Sequence, residues 1–177
     1  MSSTPTKEGE PEGAEAFAVY GFKVTIPDTW RVEFNPKGDR LKGEVAFHTP
    51  MRNTVFLAWG PLEEAGKRFK TLEEQRDWGV ARIAKTRGIQ GAKIAESRSV
   101  QICGHEGMVT RIEATPSRAL LSRKQPERTV VAMHLHCPAK SRFYVLYVAP
   151  NSAGEYADFS RLFDGLVQSF VCHGPPD

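Results

Sequence analysis

Residues 130–150 read VVAMHLHCPAKSRFYVLYVAP. In the first half Val131, Met133, Leu135 and Cys137 alternate with Ala132, His134 and His136, and RFYVLYV in the second half is rich in aromatic and β-branched residues. Side chains that alternate with a period of two point to opposite faces of a strand. The stretch therefore predicts an antiparallel β-hairpin that reverses at residues 138–141. If Val131, Met133 and Leu135 face the core, His134 and His136 share the opposite side, turned outward or toward a second helix layer, with Cα atoms about 7 Å apart. Cys137 belongs to the first face, where a free cysteine is commonly a small buried hydrophobe.

The same period recurs upstream. Phe22, Val24 and Ile26 alternate with polar or small residues, and Trp30, Val32 and Phe34 do so after a turn at Pro27 and Asp28. LKGEVAFHTP (41–50) and NTVFLAWGP (53–61) predict two more strands joined by a turn at 49–53. KIAESRSVQIC (93–103) and GMVTRIEATP (107–116) predict another hairpin, reversing at 104–107. Strands so closely spaced, with no helix between them, pair antiparallel.

Two segments change period. TLEEQRDWGVARIAKTR (71–87) opens on Thr71 and Glu74 in the relation of a capping box. Leu72, Gln75, Gly79 and Ile83 form one stripe, and Gly88 supplies the stop. The second segment has Ser152 and Glu155 as its capping box, and Tyr156, Phe159, Phe163, Leu166, Val167 and Phe170 recur at three and four. That wide aromatic face predicts a helix lying flat on the sheet. The order of strands, helix, strands, helix defines an α+β domain, an antiparallel β-sheet flanked by helices.

A chain of 177 residues is of single-domain length, and 40% apolar with 25% charged residues is ordinary for a globular protein. Residues 1–15 hold four Glu against one Lys and few large apolar groups, which predicts a flexible acidic tail. One domain is expected over 16–173, with a short flexible end at 174–177. The N-terminus has neither a basic nor an apolar signal region, and no apolar run approaches the ~20 residues that span a bilayer. A cytoplasmic protein without a disulfide framework is the expectation, since three cysteines are an odd number.

Signatures of catalysis do not appear. Gly60 to Gly66-Lys67 has five residues between its glycines where a P-loop has four, and Arg68 stands where magnesium needs Ser or Thr. No Gly-x-Ser-x-Gly, His-Glu-x-x-His or dinucleotide fingerprint occurs. Two functional readings remain. His134 and His136 form half of a zinc or other divalent metal site, which Cys103 or His105 on a neighbouring hairpin would complete. Alternatively the basic segment RALLSRKQPER (118–128), longer than a hairpin connection requires, offers Arg118, Arg123, Lys124 and Arg128 to a protein partner. The aromatics sit at core periodicity, leaving this segment no stacking platform for nucleic acid.

With these elements placed, Gly21-Phe22, Ile26-Pro27-x-x-Trp30, the aromatic strand 144–147 and Leu166-Val167-x-Ser169-Phe170 resemble the PsbP-like superfamily. That group includes PsbP proteins, Ran-binding Mog-type proteins, and DcrB and Eag-type chaperone proteins. The resemblance implies an α-β-α sandwich and a non-enzymatic, chaperone-like or assembly role without a cofactor. The implied partner is a protein; a homodimer is a separate expectation for this chain. The signal or lipobox of exported members has no counterpart in the N-terminal residues.

Overall fold

The computed structural model describes residues 14–117, 128–149 and 155–174. In chain order these form β1 (Ala14–Val19), β2 (Phe22–Pro27), β3 (Arg31–Phe34), β4 (Gly43–His48), β5 (Thr54–Pro61), α1 (Leu62–Gly66) and α2 (Leu72–Ala84). Then come β6 (Ile89–Ile102), β7 (His105–Pro116), β8 (Arg128–Cys137), β9 (Arg142–Val148) and α3 (Glu155–Ser169). Seven of the described strands make one sheet in the order β3-β4-β5-β9-β8-β7-β6, with every neighbour antiparallel. The α+β class and the antiparallel sheet read from the sequence are those of the structure.

The hairpin at 130–150 becomes β8 and β9, paired from Val131 opposite Val148 to Cys137 opposite Arg142. Pro138–Lys140 makes a single 3₁₀ turn between them, and Ser141 adopts φ +51° to re-enter the sheet. Two other details depart from the sequence reading. The β6–β7 reversal falls at Cys103-Gly104, with φ of +52° and +77°, rather than at 104–107. Two-residue hairpin turns with both φ values positive match the right-handed twist of the strands they join. Tyr20-Gly21 uses the same device to fold β1, a strand not anticipated as separate, onto β2 in a two-stranded sheet of its own.

The two faces of the main sheet are filled differently. On one face Val45, Phe47, Leu57, Trp59, Met133, Leu135, Tyr144 and Leu146 are buried beneath α3 and the β1–β2 hairpin. Phe159, Phe163, Leu166, Val167 and Phe170 supply the covering side chains, as their spacing predicts. Phe22 reaches Trp59, Tyr144 and Phe170, with ring centroids 5.2, 5.6 and 6.1 Å away. Each such residue, fully withdrawn from water, contributes about 1.5–3 kcal/mol before entropy is counted. Close approach also shapes the periphery, since a Cβ at Gly43 would lie 2.5 Å from the Trp59 ring.

The opposite face is covered by α2. Thr71 caps it by accepting from the Glu74 N–H at 3.2 Å, while the Glu74 carboxylate accepts from Lys70 N–H at 2.6 Å rather than from Thr71. The Ser152–Glu155 capping box proposed for the last helix lies outside the described residues. No described helix is long and apolar enough to cross a membrane.

Candidate functional site

Helix α2 does not close onto the sheet as its apolar stripe predicts. Of its thirteen residues only Gln75 is buried, and Trp78 remains 40% exposed. The reason lies in the strands below. Side chains that face α3 are large, whereas the α2 face intersperses Ala58, Ala114 and Ala132 among larger residues such as Ile112, Val130 and Phe143. Small floor residues leave space that the helix stripe, with glycine at position 79, does not fill. The result is a groove of about 1340 Å³ between α2 and the sheet.

Polar contacts hold the N-terminal half of α2 in place. The His136 Nε2–H donates to Gln75 Oε1 at 2.6 Å, and Arg76 reaches Ser97 Oγ at 3.4 Å. His134, one pleat away, enters the groove wall at 5% exposure. Its Nδ1 is buried without a hydrogen-bond partner among the described residues. Burial, reinforced by the charges of His136 and Arg76, lowers its pKa from 6.5 to about 4. Burial likewise lowers that of His136. Both rings are therefore neutral near pH 7, and the groove floor is apolar except at its ends.

One end carries Tyr147, whose hydroxyl donates to Glu44 at 3.1 Å. The rim carries Lys67, Arg68, Arg82, Lys85 and Arg128 against Glu44 and Glu64. The Arg82 guanidinium lies 4.7 Å from the centre of the Trp78 ring. Arg128, the first residue of β8, thus stands at the groove mouth. Arg118, Arg123 and Lys124 lie outside the described residues. These alanines were the available sign of this groove in the sequence, and the period-two reading used only the large residues between them.

The residues considered for metal binding are divided between the two faces. His134 and His136 face α2. Cys103 packs against the core beneath α3, and its sulfur accepts from the Cys172 N–H at 3.3 Å. His105 meets His173, their Nε2 atoms 3.1 Å apart. The sheet itself thus separates the histidine pair from Cys103 and His105, so a site drawing on all four is not assembled. What His105 does join is Cys137, Cys172 and His173. Burial pushes the Cys172 thiol up, and the adjacent Cys137 and Cys103 push it further. Cys137 and Cys172 are fully buried free thiols.

No protein-family model and no curated protein matches the chain. Among solved structures it is similar to cyanobacterial PsbP (CyanoP) from Synechocystis sp. PCC 6803, with a TM-score of 0.64 and 12% identity. That likeness covers 94% of this chain and 96% of the other. It is also similar to Mog1p, a Ran-binding protein of Saccharomyces cerevisiae, with a TM-score of 0.61, 10% identity, and coverage of 90% and 96%. Identity at this level speaks for architecture alone. The chain has the PsbP/Mog1-like fold.

Proposed function

We propose that this protein is a non-enzymatic binding module, serving assembly or a chaperone-like role, that holds an acidic, partly apolar segment of a protein partner beneath α2. The observation that carries this reading is the groove itself: an apolar floor, an exposed Trp78 at its edge, and a rim with five basic and two acidic side chains among the described residues. Aromatic and arginine residues beside a desolvated floor are the usual anchors of protein recognition. The basic rim selects an acidic partner and speeds encounter, an effect that salt screens. The Ran-binding description of Mog1p supports a protein as the kind of partner. Arg128 is also the last residue of the basic segment 118–128, and the proposal assigns Arg118, Arg123 and Lys124 to the same partner.

The test is affinity capture from native lysate with the wild-type protein and two variants. In one, Arg82 and Arg128 are changed to Glu; in the other, Arg118, Arg123, Lys124 and Arg128 are. The expected result is a partner retained by wild type at low salt, lost from both variants, and cross-linked to residue 78 through an acidic segment. Equal retention by all three proteins would overturn the assignment.

A further inference from the structure

Three elements converge at the end of the sheet nearest the exit of α3. Register brings the first two together: Gly107 of β7 pairs with Leu135 of β8. Two residues before Gly107, His105 begins β7, and two residues after Leu135, Cys137 ends β8 on the same face. The third is the segment after α3. Val171 forms a reciprocal antiparallel pair with Lys23, at 2.8 and 2.7 Å, and Tyr144 Oη donates to the Cys172 carbonyl at 3.4 Å. The chain bends at 172–173, so two consecutive side chains turn to one side. The His105 and His173 nitrogens and the Cys137 and Cys172 sulfurs all lie within 4.8 Å of one another.

We propose that His105, Cys137, Cys172 and His173 bind one Zn²⁺ in a closed tetrahedral site. With zinc–nitrogen near 2.0 Å and zinc–sulfur near 2.3 Å, tetrahedral ligand atoms stand about 3.3–3.8 Å apart. The 3.1 Å separation of the histidine nitrogens is already close to that, and every pair of donors lies within 4.8 Å, so none has more than about 1.5 Å to close. Two thiolates and two neutral imidazoles neutralise a divalent cation, which suits a site whose cysteines are fully buried. Two sulfur and two nitrogen donors in this arrangement favour zinc over the hard oxygen-seeking cations.

The surroundings orient the donors. His173 Nδ1 lies 2.6 Å from the Gly174 carbonyl, which only accepts, so Nδ1 carries the proton and Nε2 presents a lone pair. Cys103 stands behind the site, its sulfur fixing the backbone of Cys172. As each zinc–sulfur bond forms, a thiol proton passes to solvent, and no atom changes oxidation state. Four protein donors leave no open position, so the ion fastens the chain after α3 to β7 and β8 rather than activating a substrate. This site is independent of the groove, which lies across the sheet.

Titration of the full, untagged, reduced chain with Co²⁺ and then Zn²⁺ tests the proposal. One cobalt per chain is expected, with the strong visible bands of a tetrahedral ion and a near-ultraviolet thiolate charge-transfer band, both erased by zinc. Because a change at buried Cys137 endangers folding, the chosen variant is His173→Ala, with its fold checked by circular dichroism. It should bind cobalt at least about tenfold more weakly, in line with the sensitivity of metal sites to lost ligands and their supports. His134→Leu, on the opposite face of the sheet, should keep the spectrum. A weak octahedral spectrum, affinity unaffected by His173→Ala, or a Cys137–Cys172 disulfide that persists under reducing purification would each overturn the site.

Discussion

His134 buries an imidazole whose Nδ1 has no hydrogen-bond partner among the described residues. The charged form is disfavoured by burial and by two neighbours, His136 on its own strand and Arg76 on α2. The sign of the pH effect follows. The folded pKa of about 4 lies below the ordinary 6.5, so between these values the unfolded chain binds the extra proton. Stability therefore rises with pH across this window and is lost as pH falls through it, by at most about 3 kcal/mol. His134→Leu removes this contribution without leaving a polar orphan. In urea melts from pH 7 to pH 4, the variant should gain on wild type steadily below pH 6.5 and match or exceed it at neutrality. Parallel curves for the two proteins would refute the assignment of a neutral, uncompensated ring.

The two long helices belong to different energetic classes although both have helical sequence patterns. α3 inserts Phe159, Phe163, Leu166 and Val167 into a core of large side chains, while α2 rests on polar anchors over a groove. Phe163, at 1% exposure, should cost about 3–5 kcal/mol on change to Ala, read as a lowered urea midpoint. Thr71→Ala removes an N-cap worth about 1 kcal/mol, and that loss should remain local. Native-state hydrogen exchange should then show α2 amides opening about fivefold more often, with β5, β8 and β9 unchanged. Acceleration spread evenly over the sheet would mean that α2 unfolds only with the whole molecule. Periodicity made both helices legible, because burial on one side imposes a repeat. It did not reveal how firmly each is seated, since Gln75 and Gly79 occupy the stripe of α2 where apolar side chains would close the gap.

For the molecule as a whole, legibility divides along the same line. The antiparallel sheet and its main core could be read locally from alternations such as Val131, Met133 and Leu135. The Cys and His cluster could not, because His105, Cys137 and the 172–173 pair meet only through strand register, the Lys23–Val171 pairing and a bend. Adjacency in sequence had favoured His134 with His136, yet the sheet turns that pair toward α2. The groove was equally hidden, being the combined result of alanines on three strands and a helix held above them. Filling it separates binding from folding. Ala58 is half-buried on β5 and lines the groove, so Ala58→Phe places a ring in open space rather than in the packed core. Its effect on stability should stay within about 0.5 kcal/mol, as for substitutions away from core, caps and buried polar networks. Capture of the acidic partner should nevertheless fall as strongly as with the Arg82 and Arg128 reversals. A sharply lowered melting temperature would show that α2 closes on the sheet in solution, and retained capture in a stable variant would place the partner on another surface.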